Sequence, residues 1–124
     1  MIDHVSVAVS DLARSGAFYD AVLAPLGLAR LVTRDATIGF GKTYPEFWIS
    51  LRTGLPAVPR ATGVHICLRT RDEAGVRAFH AAALTLGGAD AGGPGSRQAA
   101  MTTYYGAFVF DPDGNKIEAV TFPR

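Results

Sequence analysis

Residues 4–27 read HVSVAVSDLARSGAFYDAVLAPLG, and residues 65–88 read HICLRTRDEAGVRAFHAAALTLGG. Aligned without a gap at an offset of 61, they agree at eight of 24 positions. The pairs are His4 with His65, Asp11 with Asp72, Ala13 with Ala74, Ala17 with Ala78, Phe18 with Phe79, Ala21 with Ala82, Leu23 with Leu84 and Gly27 with Gly88. Alanine matches alone would follow from composition. The joint match of His, Asp, Phe and Gly marks an internal repeat, and a repeat means two copies of one supersecondary unit.

Each copy opens with alternation of period two, which makes a strand with two unlike faces. Val5, Val7 and Val9 alternate with His4, Ser6 and Ala8; Val64, Ile66 and Leu68 alternate with His65, Cys67 and Arg69. Asp11 and Asp72 follow at N-cap positions, where a carboxylate accepts orphan backbone N–H groups. They predict helices over 12–24, ending at Pro25 and Gly27, and over 73–86, ending at Gly87 and Gly88. Phe18, Val22, Val76, Phe79 and Ala83 form the buried stripe. Strands return over 29–33, 37–41 and 47–53, then over 101–110 and 115–122. Asp111-Pro112-Asp113-Gly114 turns the chain between the last two. Pro56 and Pro59 sit in the join at 54–62. Residues 87–100, with five Gly and one Pro, read as a mobile loop rather than a phosphate cradle, because no Lys-Ser/Thr step leads into a helix. The expected fold is α+β: two βαβββ modules, residues 1–60 and 63–124, in a single domain, with a cupped mixed sheet and helices on its outer face.

The bulk properties fit that size. The chain has 124 residues, 48% of them apolar and 19% charged, with a formal net charge of +1. It is long enough for a hydrophobic core. It carries no basic patch, so neither nucleic acid nor an anionic membrane is an expected partner. The single Cys67 forms no internal disulfide and no apolar run reaches membrane-spanning length; the Met-Ile-Asp-His start lacks a basic region before an apolar stretch, so a signal peptide is not expected. The expected location is cytoplasmic.

Aliphatic residues pick out the face that the helices cover: Val5, Val7 and Val9; Phe47, Ile49 and Leu51; Val64, Ile66 and Leu68; Ile117 and Ala119. The opposite face then carries His4, Ser6 and Ala8; Trp48, Ser50 and Arg52; His65, Cys67 and Arg69; Lys116, Glu118 and Val120. Two imidazoles and one carboxylate, His4, His65 and Glu118, are a donor set for a divalent ion of intermediate softness: Fe, Zn, Mn, Ni or Co. Three protein ligands leave coordination positions open for substrate. Each histidine alone reads more simply as a half-buried polar residue, and Glu118 as a partner of Lys116. Equivalent placement in two repeats strengthens the metal reading and leaves the simpler ones open.

The stretches Asp3-His4-Val5-Ser6-Val7-Ala8-Val9-Ser10-Asp11-Leu12, Phe18-Tyr19 and Asp111-Pro112-Asp113-Gly114-Asn115-Lys116-Ile117-Glu118 resemble the vicinal oxygen chelate superfamily of glyoxalases, bleomycin resistance proteins and extradiol dioxygenases. The resemblance runs over almost the whole chain and is weakest in 29–62. It implies paired βαβββ modules around a metal, with His4, His65 and Glu118 as ligands. Departures bear on the reaction. Glyoxalase I has a fourth, carboxylate ligand where Ser50 stands here. Extradiol dioxygenases place a tyrosine where Phe108 stands. Ser6 is similar to a hydroxyl residue of fosfomycin thiol transferases, whose basic potassium-binding loop is not evident here. Bleomycin-binding members lack the metal set and need neither histidine.

The function expected is that of a divalent-metal-dependent enzyme, of lyase/isomerase or dioxygenase type. It would act on a small oxygenated substrate chelated by the metal and stabilise an enolate-like or oxyanion intermediate. Tyr104, Tyr105 and Ser50 are candidates for proton transfer; Ser6, Trp48, Arg69 and Phe108 are candidates for substrate contact. Arg52 and Arg97 are further cations for an anionic group. Cys67 reads as a small buried filler and His80 as structural. The alternative is a metal-independent binding or sequestration protein of the bleomycin-resistance type. A third reading is a metal that only stabilises the fold. One module buries too little apolar surface alone, so modules pair, within the chain or swapped between chains. The expected assembly is a homodimer, in which His4 can come from a different subunit than His65 and Glu118.

Overall fold

Asp11 and Asp72 start their helices as their positions require. Each side chain accepts a backbone N–H three residues on, from Arg14 and from Gly75, both at 2.9 Å. The structure, a computed structural model, describes residues 1–123. Its elements are β1 (Val5–Val9), α1 (Leu12–Leu23), a 3₁₀ turn (Ala24–Leu26), β2 (Ala29–Thr33), β3 (Thr37–Gly41), β4 (Pro45–Leu51), a second 3₁₀ turn (Arg60–Thr62), β5 (His65–Arg69), α2 (Glu73–Thr85), β6 (Ala89–Gln98), β7 (Thr103–Phe110) and β8 (Lys116–Thr121). The α-helical part of α1 ends one residue earlier than 12–24 predicts. Pro25 tightens the exit into the 3₁₀ turn, and Gly27 closes it at φ 84°, a left-handed position that costs glycine nothing.

The two halves build sheets of the same order, β1-β4-β3-β2 and β5-β8-β7-β6. In each, the opening strand runs parallel to the last strand of its half and the other pairings are antiparallel. This is the α+β class expected. The helices meet each other, and each covers one face of the sheet of its own half. Phe18, Tyr19, Val22, Phe79 and Ala83 from the helices close one core with Phe40, Phe47, Ile49, Val109, Ile117 and Ala119 from the strands. Val64 departs from the alternation: it is 77% exposed and precedes β5, while Ile66 and Leu68 pack against the core.

The stretch expected as a mobile loop at 87–100 is mostly strand β6, paired with β7. Its register slips between Asp90 and Gly92 and again between Gly92 and Gly95, so the glycines sit at bulges instead of breaking the ladder. The Arg97 guanidinium holds that irregular run. It donates to the carbonyl of Gly93 at 2.8 Å, to that of Gly95 at 3.1 Å, and to that of Gly106 on β7. A tether between a side chain and the backbone of this kind leaves no mark in the periodicity.

The turn Asp111–Gly114 does more than reverse the chain. The Tyr19 hydroxyl donates to Asp111 Oδ2 at 2.7 Å, and the Asn115 side chain donates to Asp111 and to the Ala8 carbonyl. Asp111 also accepts the backbone N–H groups of Asp113 and Asn115, and Asp113 accepts from Ser10 and Arg14. The turn of the second half is thereby bolted to the end of β1 and the start of α1. Burial raises the Asp111 carboxyl above its ordinary range, with the hydrogen bonds from Asn115 and Tyr19 acting against it. Among the described residues no helix is long and apolar enough to cross a membrane.

Candidate functional site

The face of the second sheet that α2 leaves uncovered carries most of the chemistry. The parallel β5–β8 register sets His65 opposite Lys116 and Cys67 opposite Glu118, and β7 sets Phe108 opposite Glu118. Glu118 is only 4% exposed. His65 Nε2 lies 3.3 Å from Glu118 Oε1, and His65 Nδ1 lies 3.0 Å from the Gly63 carbonyl. A carbonyl only accepts, so Nδ1 carries the proton of the neutral ring and Nε2 keeps its lone pair. That lone pair faces a carboxylate oxygen.

Phe108 is the floor beneath this pair. The His65 ring meets it edge-on at 5.4 Å between centroids, Lys116 Nζ stands 4.8 Å from its centroid, and the Arg97 guanidinium 5.4 Å. Cys67 is exposed, not the buried filler its small size suggested. Partial burial, then the Glu118 carboxylate, push its thiol up to about 12. The Tyr104 hydroxyl, on the same face of β7 as Phe108, is raised by the same two causes in the same order. Tyr105 is not part of this group, because alternation turns it to the other face, where Arg77 of α2 covers its ring at 6.0 Å. Arg69 lies over Phe122, 4.8 Å from the centroid.

The first sheet holds the remaining candidates. His4 Nδ1 lies 2.7 Å from Asp3 Oδ2, so the carboxylate fixes the tautomer and again leaves Nε2 bare. The Ser6 and Ser50 hydroxyls bond each other at 2.9 Å. Trp48 lies across Gly39, and Arg34 stacks over its ring at 5.5 Å. Arg52 donates to the Leu51 carbonyl. His80 bonds Asp90 at 2.8 Å and ties α2 to β6. Among the described residues, no three His, Cys, Asp or Glu side chains converge within this chain to hold a metal. The structure brings His65 and Glu118 together and leaves His4 apart from them.

Two participants escaped the sequence reading. Alternation put Lys116 on this face, but only as a partner of Glu118; its position over Phe108 needed the β7 register. Asp3 was legible as a neighbour of His4, yet its bond to Nδ1 depends on the backbone leaving the strand ahead of Val5.

A family profile described as the Glyoxalase/Bleomycin resistance protein/Dioxygenase superfamily matches residues 1–119, and the chain belongs to that superfamily. Among solved structures, it is similar to a glyoxalase/bleomycin resistance protein from Albidiferax ferrireducens, with 34% identity and a TM-score of 0.86 over 97% of this chain and 98% of that one. It also shares its fold with a glyoxalase I variant from Zea mays, with 23% identity and a TM-score of 0.73 over 95% of this chain and 45% of that one. A third similar structure is the fosfomycin resistance protein FosX from Listeria monocytogenes, with 16% identity and a TM-score of 0.69 over 99% and 93% of the two chains. No curated protein matches the chain.

Proposed function

We propose that the chain is a divalent-metal-dependent enzyme acting on a small oxygenated substrate, and that each metal is held by His65 and Glu118 of one chain and His4 of a second. The observation that carries this reading is the His65–Glu118 pair. Two lone-pair atoms face each other across 3.3 Å with the imidazole proton committed to Gly63 on the far side. Such a pair is relieved by a positive charge between its members, either a proton on Nε2 or a metal ion. Its separation is also close to the edge of a tetrahedron with metal–ligand bonds of about 2.0–2.1 Å. A divalent ion there would supply Lewis-acid charge to substrate oxygens.

The chain's own residues do the rest. Gly63 and Asp3 fix the two imidazole tautomers, as partners of ligating histidines commonly do. Phe108 packs edge-on against the His65 ring and supports its orientation. Tyr104, on the same uncovered face of the second sheet as Glu118, would be the group for proton transfer.

The shared site is supported by the sheet order. β1 and β5 are the outer strands of their sheets, so among the described residues each leaves one row of backbone N–H and C=O groups without a strand partner. His4 and His65 stand at equivalent repeat positions at the start of these edges. A two-fold dimer that sets β1 of one copy against β5 of the other satisfies both edges and brings the two histidines to one seam.

Elemental analysis of protein made without an affinity tag, beside His65→Ala, tests the reading. About one Fe, Zn, Mn, Ni or Co per chain in the parent and a large loss in the variant support it. A protein that takes up none of these ions on reconstitution overturns it, and leaves the uncovered faces as a metal-free binding surface.

A further inference from the structure

Four cations stand on or against the uncovered face of the second sheet, and they are not equivalent. Arg60, from the 3₁₀ turn ahead of β5, stacks on the Phe110 ring at 4.5 Å. Arg97 is committed: its guanidinium donates to the carbonyls of Gly93, Gly95 and Gly106. Arg69 lies at the far end of β5, stacked on Phe122. Lys116 is directly opposite His65 in the β5–β8 register and shares the Phe108 ring with it. Among the described residues Lys116 makes no ion pair, and Glu118, the carboxylate beside it on β8, faces His65 instead.

A half-buried ammonium resting on an aromatic ring has lost part of its water, and the ring face returns only part of that loss. Beside a divalent ion at His65 and Glu118 it would also be repelled. Both costs vanish if an anion sits between Lys116 and that site. We propose that Lys116 sets specificity: it receives a carboxylate or phosphonate that the substrate carries on the carbon next to its chelating oxygens. This rests on the metal reading above and narrows it to substrates with an acidic group adjacent to the chelating pair. No bond is made or broken at Lys116.

Three probes share one chelating unit, a 2-hydroxycarboxylate, and differ only in the group at carbon 2. Lactate carries a methyl, hydroxymalonate a carboxylate and 2-hydroxyphosphonoacetate a phosphonate. Their dissociation constants are measured calorimetrically on the metal-loaded protein, with metal content determined on the same samples. The parent should bind at least one dianionic probe about tenfold or more tighter than lactate, a gap of the size one well-placed charge produces. Lys116→Met, which keeps the aliphatic stem on Phe108, should cut that preference to within about threefold while retaining its metal; Lys116→Arg should restore it. Which dianion is preferred tells carboxylate from phosphonate. A preference that survives Lys116→Met, or a parent that binds all three probes alike, overturns the proposal with the metal reading intact. Protein that holds no metal overturns both, and the metal assay shows which case applies.

Discussion

His65 Nε2 and Glu118 Oε1 stand 3.3 Å apart on neighbouring parallel strands, with the histidine's other nitrogen bonded to the Gly63 carbonyl. A protonated imidazole would satisfy the same pair as an ordinary ion pair, so metal binding and simple pairing must be separated by measurement. Glu118→Gln keeps the shape and removes the charge. If the pair is a ligand pair, metal affinity should fall by more than the roughly 10–100-fold that loss of an outer partner costs. Asp3→Asn, which disturbs only the residue orienting His4, should fall inside that range. Competition against a chromophoric chelator measures both, and a Glu118→Gln protein that binds as the parent does would exclude Glu118 as a ligand.

A site split between chains makes a prediction that a site within one chain does not. His4→Ala and His65→Ala should each abolish binding as homodimers. A heterodimer of the two, isolated with two different tags, keeps one seam whole: His65 and Glu118 from the first chain and His4 from the second. It should bind about one metal per dimer, since an isologous assembly carries two equivalent seams. Zero metal in the heterodimer counts against sharing.

How much of this was legible beforehand follows from which interactions are periodic. The period-two alternation of 4–9, 65–69 and 116–120 assigned both histidines and Glu118 to the faces away from the helices, and the N-cap aspartates placed both helices. What escaped was set by single contacts. Arg97 turns the glycine run of β6 into a paired strand through three carbonyls, and nothing in the composition of 87–100 signals that. Alternation also assigns faces only within a sheet. It put His4 and Glu118 on uncovered faces of their own sheets, but it does not carry the distance between two sheets whose helices pack together.

The Tyr19–Asp111 bond joins the halves and should be visible in alkaline unfolding. Tyr19→Phe removes a donor from a buried carboxylate, at a cost of about 1–3 kcal/mol at neutral pH. Burial, then the charge of Asp111, hold the Tyr19 hydroxyl well above its ordinary value of 10.0. The folded chain therefore keeps a proton that the unfolded chain releases. The associated stability is present in full below pH 10, and is lost as pH climbs from there toward the folded value. Tyr44 and Tyr104 are raised as well and are common to both proteins, so the difference between parent and variant isolates Tyr19. Urea unfolding across pH 8–11 should show that difference constant up to about pH 10 and shrinking above it. A difference that widens above that pH would mean Tyr19 ionises more readily in the fold than in the open chain.

Gly39 tests whether the Trp48 platform is built by the backbone beneath it. A Cβ at Gly39 would stand 2.8 Å from Pro45 Cβ and 2.9 Å from two ring carbons of Trp48. Pro45 cannot rotate away, so the paired strands must shift at that contact, and the indole must also yield, with the Arg34 guanidinium stacked on its face. Gly39→Ala should therefore destabilise by about 1–3 kcal/mol, the usual cost of overpacking. It should also shift the emission of Trp48, the one tryptophan of the chain. Gly93 is the control, since a Cβ there meets nothing within 4 Å and its φ lies outside the left-handed range. Gly93→Ala should stay within about 0.5 kcal/mol of the parent with unchanged emission. If both variants behave alike, Trp48 does not rest on Gly39 in solution, and its place in substrate contact loses its structural support.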